Sequence, residues 1–127
     1  MEPAEYFDGG TVSVSESRYA VLKATRDDPD AFASVRDGDE TTVVVEQDAY
    51  DEEDAIEAEE GWRILTFEMT LPFELVGFLA AVAGALAEEG VSVFALSAYS
   101  TDHVLVKDDD IEPAVRKLEA LGCRVER

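Results

Sequence analysis

Residues 62–127 read WRILTFEMTLPFELVGFLAAVAGALAEEGVSVFALSAYSTDHVLVKDDDIEPAVRKLEALGCRVER, and the order of patterns within them decides the fold. Over 63–70, Leu65, Phe67 and Met69 fall on one face and Ile64 and Thr66 on the other, the period-two signature of a strand. Leu75, Leu79, Val82 and Leu86 follow at helical spacing and form a stripe that can lie on that strand's sheet. The spacing predicts a helix over 75–87. Gly84 inside it costs about 1 kcal/mol of propensity, so a close approach of another element is expected there. Gly90 stands where a left-handed helix stop is wanted. Val91, Val93 and Phe94 lead a second strand, and 103–107 returns antiparallel to it through the polar hairpin SAYSTDH. Asp108–Asp110 offer an N-cap and negative charge to a second helix, and Pro113 falls in its first turn. Ile111, Val115, Leu118 and Leu121 form its buried stripe, and Glu112 and Arg116 make an i,i+4 pair. Gly122 ends the helix, and 123–126 supply a last edge strand. The sum is an α+β class fold, a ferredoxin-like βαββαβ unit.

The first half is less regular. Candidate strands lie at 11–15, 19–25 and 40–46, and 30–36 is read as a short helix. Asp37-Gly38-Asp39 is a turn signal before the alternating run TTVVVE. DAYDEEDAIEAEEG (48–61) reads as a charged, solvated connector with a helical turn. Its carboxylates lack the alternating oxygen ligands and central glycine of a calcium loop. The expected organisation is therefore residues 1–60, a degenerate copy of the same unit with the acidic connector, and residues 61–127, the complete unit. Two such halves are expected to pack as a pseudo-symmetric pair, because neither alone buries much surface.

Composition narrows the function. Thirty Asp and Glu against ten Lys and Arg give a net charge of −20, with three lysines against seven arginines. Such a surface repels phosphates, so no nucleic acid partner is expected. The excess is spread along the chain, which favours a halophilic protein over an acidic mimic with its charge on one face. No apolar run approaches the roughly 20 residues of a membrane span, and MEPAEYFDGG is not a secretory leader. Cys123 is the only cysteine, which excludes an intramolecular disulfide. A cytoplasmic protein without a membrane partner is expected.

Little in the chain suggests catalysis. His103 is the only histidine, so a multi-histidine metal site is excluded, and neither a G-x-S-x-G elbow nor a P-loop is present. Ser97, Ser100 or Cys123 beside His103 is the one nucleophilic arrangement open to it; a hydrogen-bonding His103 and a packed Cys123 are the plainer readings. Two loops suggest binding instead. LPFELVG (71–77) enters the first helix, where N–H groups and the helix dipole favour a carboxylate. FALSAYSTD (94–102) offers main-chain donors and acceptors, with Asp102 able to receive an ammonium group. The competing reading is that Gly77 eases packing and Asp102 closes a turn.

The run from Gly77 to Gly122, with its glycine entering the helix, its GVSVF and its SAYSTDHVLV hairpin, resembles the ACT domain, a small-molecule sensing module of amino-acid metabolism. GWR at 61–63 and DGG at 8–10 also fit that pattern. The chain is similar to stand-alone proteins with two fused ACT-like halves, themselves similar to the ACT pairs of aspartokinases and of the CASTOR arginine sensors. The resemblance implies an allosteric, non-catalytic regulator with no cofactor and an amino-acid ligand, forming a homodimer and acting on a metabolic enzyme. It also implies the site residues. These are Phe73, Glu74, Leu75, Val76 and Gly77 in the loop, with Phe94, Ala95, Leu96, Ser97, Thr101 and Asp102 on the strand and hairpin. Ala98 departs from the family's usual Ser-Thr pair before the aromatic and removes a hydroxyl. The alternative is an accessory or structural subunit of such an enzyme that binds no ligand.

Overall fold

A computed structural model describes residue 5 and residues 7–69 and 77–127. Its strands are β1 (Thr11–Val14), β2 (Tyr19–Ala24), β3 (Ala33–Arg36), β4 (Thr41–Glu46), β5 (Ala55–Phe67), β6 (Phe94–Ser97), β7 (Asp102–Lys107) and β8 (Arg124–Glu126). From residue 8 onward its described α-helices are α1 (Phe78–Glu88) and α2 (Ile111–Ala120). The chain groups into two compact units, one of Met1–Glu16 with Arg63–Arg127 and the other of Ser17–Trp62.

The first unit holds the α+β fold expected from residues 62–127, in the order β5–α1–β6–β7–α2–β8. β7 pairs with β5 and with β6. One strand was not foreseen in this unit. β1 lies antiparallel to β5, with Val12 opposite Phe67 and Val14 opposite Leu65, and parallel to β8, with Val12 opposite Val125. It therefore separates β5 from β8. The junction between the two units falls between Trp62 and Arg63, and Met1–Glu16 groups with the second half of the chain. The physical reason is burial: Val12 and Val14 share one core with Leu65 and Phe67.

The helices cover the face that carries those residues and Val104 and Val106. α1 presents Phe78, Val82 and Leu86 at four-residue intervals, and α2 presents Ile111, Ala114, Val115 and Leu118. Phe78 stacks on Phe7 at 5.2 Å and meets Phe67 edge-on at 5.6 Å. Each fully buried side chain of this size contributes roughly 1.5–3 kcal/mol, so the stripe rather than propensity holds the Ala-rich α1 in place. Leu75 lies outside the described residues. The expected close approach at Gly84 is not found: a Cβ there would meet nothing within 4 Å.

Both helices end alike. Gly90 donates to Ala87 and Val91 to Leu86, while Gly122 donates to Glu119 and Cys123 to Leu118, all at 3.0 Å. Each is a Schellman stop with its hydrophobic clasp, here Val91 on Leu86 and Cys123 on Leu118. Asp110 occupies the N-cap position of α2 but makes no side-chain capping bond. Glu112 binds Arg127 through two hydrogen bonds of 2.7 and 3.0 Å, a partner its helical spacing to Arg116 did not suggest.

The second unit is a sheet in the order β3-β4-β2-β5, in which only the first part of β5 takes part. Residues 17–62 contain no α-helix. The helix expected over 30–36 is instead β3, which pairs Ala33 with Val44 and Val35 with Thr42. The β-branched residues of β4 make a better partner for that run than an isolated helical turn of seven residues. The connector at 48–61 holds one 3-10 turn, Glu52–Asp54, and then becomes β5. Glu57, Glu59 and Glu60 are exposed side chains of that strand: β2 sets Lys23 opposite Glu57 and Val21 opposite Glu59. Ala20, Leu22, Ala24, Val43 and Val45 form this unit's own buried cluster.

Candidate ligand-binding site

The site begins where α1 begins. Gly77 is its N-cap residue, at φ 85° and ψ 10°, and no acidic side chain stands in the first turn. Helix geometry leaves the first N–H groups of α1 without intrahelical acceptors and places partial positive charge there. Phe73, Glu74, Leu75 and Val76, also expected at the site, lie outside the described residues.

The β6–β7 hairpin supplies the other expected positions. Ala95 is opposite Val104 and Ser97 opposite Asp102, while Phe94 is opposite Leu105 and Leu96 opposite His103. Directly opposed residues share a face. Val104 belongs to the core beneath the helices, so Ala95, Ser97 and Asp102 lie on the helix-bearing face, on the same side as α1. Ala95 and Ser97 are exposed there. Phe94 and Leu96 point to the other face, so the side chains of the expected set do not all converge. The hairpin is closed by Ala98 N–H donating to Thr101 O at 2.9 Å, and Tyr99 at its tip is 81% exposed. Among the described strands β6 pairs only with β7.

His103 sits on the opposite face, where its Nδ1 shares a 2.9 Å hydrogen bond with the Thr66 hydroxyl. Burial lowers its pKa below the ordinary 6.5, and the Asp102 charge works against that shift. Ser97 is on the other side of the sheet. Cys123 packs in the helix-side core, and burial pushes its thiol up to about 11. The geometry therefore separates His103 from both of these nucleophiles. Among the described residues no cluster of His, Cys, Asp or Glu is placed to hold a metal ion, and no helix is long and apolar enough to cross a membrane.

Arg63 braces the first unit at the end of its sheet away from the hairpin turn. Its Nε donates to Ser15 O at 2.7 Å and its Nη1 to Asp108 at 2.9 Å, while Ser15 Oγ accepts from Ile64 N–H at 2.9 Å. One side chain thus ties the end of β1 to β5 and to the turn before α2. The sequence signalled Arg63 only as part of GWR.

Residues 57–120 match the model of the ACT domain. The chain belongs to the ACT domain family. No curated protein matches its sequence. Solved structures carry the same fold along nearly the whole chain. One from Agobacterium tumefaciens is 22% identical with a TM-score of 0.75, covering 92% of each chain. A protein of unknown function from Vibrio cholerae is 21% identical with a TM-score of 0.76, covering 91% of this chain and 92% of its own. The ligand-free regulatory subunit of aspartate kinase from Thermus thermophilus is 14% identical with a TM-score of 0.64, covering 90% and 97%. This ACT protein is similar in fold to a regulatory subunit over nearly all of that chain.

The second unit also has a concavity of about 580 Å³ on its sheet, reached by residues such as Tyr19, Phe32 and Tyr50. Sequence reasoning passed over it. The aromatics set among aspartates were its only signal, and that signal is common in so acidic a chain.

Proposed function

We propose that this protein is a ligand-binding ACT regulator without catalytic activity of its own, and that its ligand is a free amino acid. The observation that carries the reading is the pairing of two features on one side of the first unit's sheet. The start of α1 has no acidic side chain in its first turn, and Ser97 and Asp102 stand on the helix-bearing face of the hairpin. A carboxylate suits the first and an ammonium the second. The backbone of β6 adds donors and acceptors, and a homodimer or a metabolic enzyme would read out occupancy.

Calorimetry against the twenty amino acids in molar KCl tests this. One amino acid is expected to bind, and Asp102→Ala to weaken it about ten- to a hundredfold, since a charge-assisted hydrogen bond contributes roughly 1.5–3 kcal/mol. Binding of no amino acid would favour an accessory subunit that takes no ligand. Equal binding by the variant would move the site elsewhere.

A further inference from the structure

The apolar face of the second unit's sheet is flanked by loops rather than helices. Ala20, Leu22, Ala24, Val43 and Val45 are buried along it, yet no residue from 17 to 62 is in an α-helix. The segments 25–32 and 47–54 leave the concavity of about 580 Å³ between them. Leu22, Ala24, Val43 and Val45 reach its floor. Tyr19 and Phe32 form one wall, edge to face with ring centroids 6.0 Å apart, and Tyr50 contributes another. The Tyr50 hydroxyl donates to Glu60 at 2.6 Å, which fixes its ring before anything binds. Around these stand six carboxylates, from Asp27, Asp28, Asp30, Glu46, Asp51 and Asp54. The lining has one cation, Arg26, and Asp54 holds it at 3.3 Å.

We propose that this concavity binds a small organic cation, a single ammonium group carried on an apolar alkyl or aryl body. Its volume is in the range of small-molecule sites, roughly 300–1,000 Å³. The aliphatic floor suits an apolar body, and among the described residues no group of carboxylates is placed to hold a bare metal ion. The carboxylates repel an anion, and a neutral ligand leaves their field unanswered. The rings of Tyr19, Phe32 and Tyr50 line it, and aromatic rings attract a cation through their electron-rich faces. Glu46 lies opposite Tyr19 in the β2–β4 register, which sets a carboxylate beside that wall. This site shares no residue with the one proposed in the first unit and does not depend on it.

The test is a titration of ¹⁵N-labelled protein, followed by NMR at one fixed KCl concentration, with three probes of nearly one shape: 2-phenylethylammonium, 2-phenylethanol and phenylacetate. Saturable shifts at Tyr19, Phe32, Val45 and Tyr50 are expected with the ammonium. The alcohol is expected to bind about tenfold more weakly, and phenylacetate not at all. Phe32 is 41% exposed and Asp30 is exposed too, so Phe32→Ala and Asp30→Asn should keep the fold, which circular dichroism checks. Each is expected to weaken the ammonium about two- to fivefold. Equal binding of the alcohol, shifts confined to Gly77 and the β6–β7 hairpin, or unchanged affinity in both variants would overturn the proposal.

Discussion

The chain's single histidine is held away from its charged form. Burial is the larger influence on His103 and lowers its pKa from 6.5, while Asp102 raises it less. Between the lowered folded value and 6.5, the unfolded chain then binds more protons than the folded one. This contribution to stability is complete above about 6.5 and declines as pH falls toward the folded value. His103→Gln removes it. Denaturant midpoints measured at neutral and at mildly acidic pH should fall further in the native protein than in the variant, because the carboxylates are common to both. Equal losses would show that the histidine is not held neutral. At this scale the sequence spoke clearly about some residues and not others. A hydrogen-bonding His103 and a packed Cys123 were both legible from chain context. The split of Phe94 and Leu96 from Ala95 and Ser97 was latent in the period-two pattern, but only the partner strand shows which face the helices cover.

Helix ends give an element-scale comparison. Gly90 and Gly122 both close Schellman stops at positive φ, 74° and 105°. A Cβ on Gly90 would meet nothing, whereas one on Gly122 would lie 3.0 Å from the Asp8 Cα. Backbone strain alone costs about 1–2 kcal/mol. Gly90→Ala should therefore lower the melting temperature by several degrees, and Gly122→Ala by clearly more, since the segment around Asp8 must also move. Thermal melts of the two variants side by side decide it, and matching losses would mean that this segment yields freely. The elements of residues 78–126 were legible because buried stripes and glycine stops coincide there. β3 and the first part of β5 were not. In Ala33–Arg36 only the first residue is even half-buried, and in β5 the exposed glutamates mask the ladder to β2. Strands held mainly by backbone pairing leave little hydrophobic pattern to read.

At the scale of the molecule, charge dominates. The net charge is −20, and no described polar or charged residue is buried, so the described charges face solvent and are open to screening. The Debye length shortens from about 30 Å at 0.01 M salt to about 3 Å at 1 M. Repulsion among carboxylates should loosen the fold in dilute buffer, and the melting midpoint should climb steadily with KCl. A midpoint that does not move with KCl would dismiss the salt requirement. Exposed pairs such as Arg127 with Glu112 contribute little against this field.

β1 also changes how the chain's connectivity is understood. Ser15 N–H donates to Ile64 O at 2.9 Å, and just beyond it Tyr19 stands opposite Trp62. The segment that leaves β1 and the segment that returns into β5 thus run as neighbours. Topologically, β1 and β5 are the arms of a hairpin, and residues 17–62 are its greatly enlarged turn. A loop whose two ends already lie side by side can be shortened, lengthened or exchanged without stretching the arms that hold it. The second unit is in that sense a replaceable insert, able to diverge in sequence while the first unit keeps its fold.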